Sequence, residues 1–150
     1  MTLISIDIIG LFVLLAGFVI GLGAVTVIDI HGFLGRTSNY WTEATTRTHK
    51  VTKPLTWIGI TLALIGGSIL YHHEPFTGIP LIHTIIACVL IVNGLFLSFK
   101  VSPFLLAREK DGRSSELLPS SWQHKIIASL IISDIGWWGG LFLLVVYLLG

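Results

Sequence analysis

Four long apolar stretches alternate with polar segments along the chain. They cover residues 8–28, 55–71, 81–99 and 126–149. The first two contain no charged residue, the third has His83 and Asn93 as its only strongly polar residues, and the fourth contains one charge, Asp134. A membrane-spanning helix needs about 17–25 mainly apolar residues to cross roughly 30 Å of hydrocarbon. The pattern therefore predicts an all-α integral membrane protein built as a four-helix bundle.

Turn and capping residues place the predicted helices at about 5–30, 54–72, 80–101 and 122–149. The second helix can instead begin near residue 40, with Ser38 or Asn39 as its cap, and pass through Pro54. Pro54 would otherwise occupy the first turn of a separate helix, where its missing N–H costs little. Ser120 followed by Gln123 is a capping-box pattern at the start of the fourth helix. We expect the whole chain to form a single transmembrane domain.

Charged residues are scarce: they make up 11% of the chain, whereas 53% of it is hydrophobic. A soluble globular domain carries about 25% charged residues. So few charges cannot cover the surface of a water-soluble protein, which makes the lipid bilayer the expected partner of most of this surface. The net charge of +1 gives no basis for nucleic-acid binding.

All nine lysines and arginines fall in two segments, residues 36–53 and 100–125. The two termini and the short turn after the second helix have none. Because the cytoplasmic loops of membrane proteins are enriched in Lys and Arg, both segments are expected in the cytoplasm. This places both termini outside (N-out/C-out) in a multi-pass protein of the inner (plasma) membrane.

Each predicted helix carries a stripe of small residues at spacings of three, four or seven. In the first and second helices these are Gly10, Gly17, Gly21 and Ala24, and Gly59, Ala63 and Gly66 or Gly67. In the third and fourth they are Ala87, Gly94 and Ser98, and Ser129, Ser133, Gly136 and Gly140. Helices associate in lipid where small residues let their backbones approach. The stripes predict the buried faces of the bundle or, alternatively, contacts in a homo-oligomer or a larger membrane complex.

Asp134 is the most unusual residue of the apolar stretches. It lies eight positions past Ile126, which corresponds to about 12 Å into the helix. Asn93 is expected at a similar depth, and Asp29 either joins these two or pairs with a nearby lysine. Ionisable groups at such depth usually face the protein interior or a wet cavity. The three residues predict either a proton or cation relay or a polar clasp that holds the helices together.

The six histidines fall into two groups. His72, His73 and His83 are expected near the outer ends of the second and third helices, and His31, His49 and His124 near the cytoplasmic ends of the others. Imidazoles on facing helices can hold a haem iron, and imidazole also suits copper. The outer group is therefore a candidate site for haem b or copper. The alternative is that these amphipathic rings simply lie at the membrane interface.

Trp137 and Trp138 fall near the middle of the fourth helix, on the flank of Asp134. Tryptophan is more typical of membrane interfaces. The pair is a candidate lining of a cofactor cavity for quinone or porphyrin. The alternative is ordinary packing within the bundle or against lipid.

Several short segments together resemble a known group of membrane proteins. They are residues 21–29, KPLTWIGITLALIGG at 53–67, Asn93–Gly94 followed by Pro103, and SDIGWW at 133–138. With these segments the chain loosely resembles the small four-helix bacterial membrane proteins related to the copper-resistance-D-like group, most of which are uncharacterised. The resemblance implies copper handling or, through related proteins, haem. The histidine expected early in the first helix of that group is absent here, so the resemblance implies no particular site residue.

Three functions remain open at this point. The first is a non-enzymatic subunit or scaffold of a membrane assembly, which is favoured because the sequence contains no nucleophile–base pair, phosphate loop or other catalytic constellation. The second is a haem- or copper-binding redox protein that uses His83 with His72 or His73. The third is a proton-coupled transport element built around Asp134 and Asn93, which would need to oligomerise to form a pathway.

Overall fold

The computed structural model describes residues 5–150, which form helices joined by turns and contain no strand. The helices are α1 Ile6–Leu34, α2 Asn39–Leu70, α3 Gly78–Phe96, α4 Ser102–Lys110 and α5 Ser120–Leu149, and a π-helical segment, Leu97–Val101, joins α3 to α4. Four spans are long and apolar enough to cross a membrane: α1, α2, the continuous span from α3 through α4, and α5. This confirms the predicted all-α architecture with four long helices.

α2 follows the earlier of the two starts that the sequence left open. Ser38 accepts a hydrogen bond from the backbone N–H of Trp41 at 3.5 Å and so caps the helix. Pro54 lies inside the helix, where its missing N–H removes one backbone hydrogen bond. The first turns of α2 therefore precede its apolar stretch at residues 55–71.

The span that begins with α3 is longer than predicted. Its backbone continues through the π-helical segment and α4 to Lys110, past the predicted end at residue 101. The side chain of Arg108 organises the remaining turn by donating to the carbonyl of Glu116 at 2.9 Å and to that of Leu117 at 3.3 Å.

The predicted capping box at the start of α5 is wrong. Pro119 occupies the N-cap position and provides no side-chain cap. Ser120 is already helical, and the Gln123 amide donates instead to the carbonyl of Leu118 at 2.8 Å. In a capping box the serine is the N-cap residue itself. Here Pro119 is the N-cap, so the helix begins one residue earlier than the capping box predicts and Ser120 is its first helical residue.

The α1 and α2 backbones pack directly against each other. A Cβ built on Gly59 would lie 2.5 Å from the Cα of Gly21, and one built on Gly17 would lie 2.5 Å from the backbone nitrogen of Ala63. Gly66 meets the backbone of Leu14 in the same way. Only glycine allows such an approach, so the small-residue stripes of α1 and α2 face each other, as predicted.

Gly17→Ala is expected to destabilise the protein by about 1–3 kcal/mol, because the added methyl group overpacks the contact with α2. Gly23→Ala is the matched control on the same helix, since a Cβ there meets nothing within 4 Å. Alanine also favours a helix over glycine by about 0.8–1 kcal/mol, so this control should unfold at the wild-type temperature or above it. Thermal unfolding in detergent measures both variants, and equal midpoints would contradict the close packing of α1 on α2.

α5 packs against both α1 and α3 through its small-residue stripe. A Cβ on Gly136 would lie 2.7 Å from a methyl group of Leu90, and one on Gly140 would lie 3.2 Å from the ring of Phe18. Ser129, Ser133, Gly136 and Gly140 are all buried, which confirms the predicted inner face of α5. Trp137 lies on this face, with its indole against Gly21.

The bundle has two chemically different ends. The basic end contains the α1–α2 turn and the α4–α5 connection, and all nine lysines and arginines belong to segments at this end. The terminus end contains Ser5, the turn at 71–77 and Gly150. These two names are used below for the two halves of the bundle.

Candidate functional site

Among the cavities of the described residues, two lie between the long helices, one toward each end of the bundle. The basic-end cavity has a volume of about 80 Å³, and the terminus-end cavity has a volume of about 440 Å³. Ile60, Leu90 and Trp137 line both cavities. These three side chains, the apolar layer, are at most 7% exposed. The apolar layer therefore separates two internal spaces that are stacked along the bundle.

The wall of the basic-end cavity is mostly apolar but includes two buried titratable side chains. Asp29 and His49 line it, and they are only 8% and 9% exposed. Within residues 5–150, neither the Oδ2 of Asp29 nor the Nε2 of His49 has a hydrogen-bond partner. Burying such groups unpartnered costs about 1–3 kcal/mol each. The cavity has a volume of about 80 Å³, and at about 30 Å³ per water molecule it admits about two or three waters.

Asp29 of α1 and Asp134 of α5 are neighbours across the contact between these helices, and their carboxyl groups interact. Ionised carboxylates have only acceptors, so a hydrogen bond between the two groups requires that one of them carries a proton. Like charges this close inside a bundle also oppose double ionisation. The arrangement can hold one shared proton.

Asn93 belongs to a different contact from the one predicted. Its amide donates to the carbonyl of Ser129 at 3.0 Å, and the Ser129 hydroxyl donates to the Asn93 side-chain oxygen at 2.6 Å. The structure thus separates the predicted trio. Asn93 clasps α3 to α5, whereas Asp134 meets Asp29. Within the described chain Asp29 makes no ion pair with a lysine, and Lys53 instead donates to Ser102 at 3.5 Å.

His49 is the residue of this site that sequence reasoning left in a general group of interfacial histidines. It lies one turn before Lys53 on the wall of the basic-end cavity, together with three threonines of α2. The threonines are Thr45, Thr52 and Thr56. Polar residues at three- and four-residue spacing mark one helix face. That spacing was the available signal, but it becomes informative only once α2 is known to begin at Asn39.

His83 lies beside the terminus-end cavity with both ring nitrogens engaged. Its Nε2 is 2.8 Å from the carbonyl of Gly140, and its Nδ1 is 2.7 Å from the hydroxyl of Tyr71. A carbonyl can only accept, so we assign the ring proton to Nε2. Nδ1 of the neutral ring is then an acceptor, and the Tyr71 hydroxyl donates to it. Binding a metal through either nitrogen would break one of these hydrogen bonds.

His72 and His73 lie apart from His83 on the exposed turn after α2. The two rings pack against each other with their centroids 3.6 Å apart, and Nδ1 of His72 is 2.7 Å from the carbonyl of Ile69. Residues 5–150 contain no group of three or more His, Cys, Asp or Glu side chains placed to hold a metal ion. These contacts give no support to a haem b or copper site at the three histidines, which stays a prediction.

The adjacent tryptophans have different environments. Trp137 is 2% exposed and lines both cavities, whereas Trp138 is 55% exposed and lines neither. Successive helical residues point about 100° apart, so a pair cannot share one narrow face. Of the two tryptophans that were predicted to line a cavity, only Trp137 does so.

Comparison with known proteins identifies no relative of this chain. No protein-family model matches it, and no curated protein or solved structure does either. The resemblance to the copper-resistance-D-like group accordingly stays a prediction. The two cavities and the residues that line them are therefore the features that indicate a function.

Proposed function

We propose that this protein is a proton-coupled transport element that works through the Asp29–Asp134 pair. One observation carries the proposal: Asp29 lines the basic-end cavity, has a buried carboxylate oxygen without a partner in the described chain, and interacts with the second carboxyl group of Asp134. Intramembrane ionisable groups are costly, and a role in ion transfer is a common reason for keeping them.

The proposed setting is the plasma membrane, with the basic end in the cytoplasm and both termini outside. The distribution of lysine and arginine supports this orientation. The basic-end cavity then lies in the cytoplasmic half of the bundle. Lys53 and His49 line its wall and so stand between the cytoplasm and the acid pair.

Protons would reach the acid pair through water in the basic-end cavity. His49 lines the same cavity and its Nε2 has no partner within the described chain, so its ring can pass a proton. Beyond the pair, the apolar layer blocks water in the conformation described. A transport cycle therefore needs a movement that opens the layer while the pair holds its proton.

Two irregularities in the helices lie at the level of the basic-end cavity. Pro54 interrupts the hydrogen bonding of α2, and the π-helical segment that includes Ser98 and Val101 lines the cavity from the opposite side. Prolines and π-turns are places where long helices bend. We propose these points as the hinges of the movement.

The small-residue stripes do not require the partner complex that the scaffold alternative would supply. The small-residue stripes of α1, α2 and α5 are occupied by contacts within one bundle. They are therefore used for internal packing, and a partner complex is not needed to explain them. For this reason we favour transport over a purely structural subunit.

Proton flux into liposomes tests the proposal. Protein reconstituted with an internal pH-sensitive dye should acidify the lumen when a pH gradient is imposed, and Asp29→Asn should lower the protein-dependent rate by roughly 100-fold. Asp111→Asn is the matched control, because Asp111 lies on the exposed turn after α4. A wild-type rate in Asp29→Asn, or a wild-type protein that adds nothing to the rate of empty liposomes, would rule the proposal out.

A further inference from the structure

The terminus-end cavity contains neither residue of the acid pair and has fewer polar residues on its wall than the basic-end cavity. Its volume of about 440 Å³ lies within the range of small-molecule sites, roughly 300–1,000 Å³. Most of its wall is apolar, and its aromatic members are Phe18, Tyr71, Phe76 and Trp137. A space of this size and composition fits an organic ligand rather than an inorganic ion.

The cavity opens sideways, between α2 and α3. Leu64 and Ser68 on α2 and Thr84 and Cys88 on α3 line it, and all four are exposed on the surface of the bundle. In the proposed setting this surface faces lipid. A ligand would therefore enter from the bilayer, which selects for a hydrophobic molecule.

The charged residues on the cavity wall favour a positively charged ligand. Glu74 is the only charged residue among the described residues that line the cavity, and no lysine or arginine lies on its wall. Aromatic faces attract cations, and this attraction grows where water is scarce. His83 adds no positive charge here, because its ring is assigned as neutral from its two hydrogen bonds.

We propose that the terminus-end cavity binds a lipophilic monovalent cation that enters laterally between α2 and α3. The apolar wall ending at Trp137 would hold the hydrophobic part, and Glu74 and Tyr71 would lie near the positive charge. The inference rests on the proposed function in one respect: it names the substrate class whose movement the proton-loaded acid pair would drive. Binding itself requires no proton flux.

Cys88 provides the test, because it is the only cysteine of the chain and lines the cavity mouth. In detergent, tetraphenylphosphonium should slow the reaction of Cys88 with N-ethylmaleimide by about fivefold or more. Tetraphenylborate has the same shape and the opposite charge, and it should give little protection. Glu74→Gln should raise the half-protecting concentration of tetraphenylphosphonium about fivefold. Glu43→Gln, at the basic end, should leave that concentration unchanged.

Each alternative outcome has a defined meaning. Equal protection by the two ions would show a site without charge preference and overturn the inference, as would no protection by either. Protection without proton flux in the liposome assay would retain the cation site and remove the proposed transport function. Proton flux without protection of Cys88 would retain the transport function and rule out the cation site. The two proposals can therefore be disproved independently.

Discussion

Trp137→Ala is expected to raise the passive proton permeability of protein-containing liposomes about tenfold or more, because dry apolar constrictions are what keep such paths closed. Trp137 is the largest member of the apolar layer and lines both cavities. Its removal would join the basic-end cavity of about 80 Å³ to the terminus-end cavity of about 440 Å³. Stability should also fall by about 3–5 kcal/mol, as for other fully buried aromatic residues replaced by alanine.

Trp138→Ala is the matched control, since it removes the same side chain from the exposed neighbouring position. It should change neither permeability nor the unfolding temperature by a comparable amount. Trp137→Phe retains a ring in the layer and should give an intermediate leak with a smaller loss of stability. If Trp137→Ala reconstitutes as a folded protein and leaks no more than wild type, the apolar layer is not the barrier.

The Asp29–Asp134 pair is expected to behave as one proton site. Asp29→Asn and Asp134→Asn should each lower proton flux by roughly 100-fold, and the double variant should be no worse than either single one. The reason is that two facing carboxyl groups share one proton, so losing either group removes the whole site. Liposome flux measured on all three variants gives this comparison directly.

Infrared spectroscopy offers a second measurement of the same prediction. One protonated carboxyl band that shifts in deuterated water should be present near neutral pH and should disappear or shift in both single variants. Replacing Ser129 by alanine leaves the acid pair intact and removes only the hydrogen bond that the Ser129 hydroxyl donates to Asn93, so it should retain the band. Additive losses of flux from the two aspartates, or a band affected by only one of them, would contradict a shared site.

The four spans and the faces on which they pack were predictable from the sequence because both depend on local composition. Apolar length decides whether a segment can span hydrocarbon. Small residues decide where two backbones can touch, and Gly17, Gly59 and Gly136 all lie at such contacts. The helix limits were less accurate, because proline and capping residues allow more than one start. The capping box at Ser120 failed for this reason.

The pairing of polar residues was not predictable in the same way. Asp29, Asn93, Asp134 and Ser129 lie on three helices, and their depth alone allows several combinations. Which groups meet depends on the rotation of each helix about its axis and on its shift along the bundle. The hydropathy pattern specifies neither the rotation nor the shift. For this reason the expected link between Asn93 and Asp134 was wrong, and Asn93 contacts Ser129 while Asp134 contacts Asp29.

The four long apolar helices, the positive charge at one end and the glycine contacts between helices follow from the composition of each segment. The two cavities that flank Trp137, the position of His49 beside Asp29 on a cavity wall, and the hydrogen bonds of His83 with Tyr71 and Gly140 depend on how the helices pack. Helix formation and hydropathy are properties of each segment on its own. A cavity and its hydrogen bonds arise only where side chains from several helices meet at one depth.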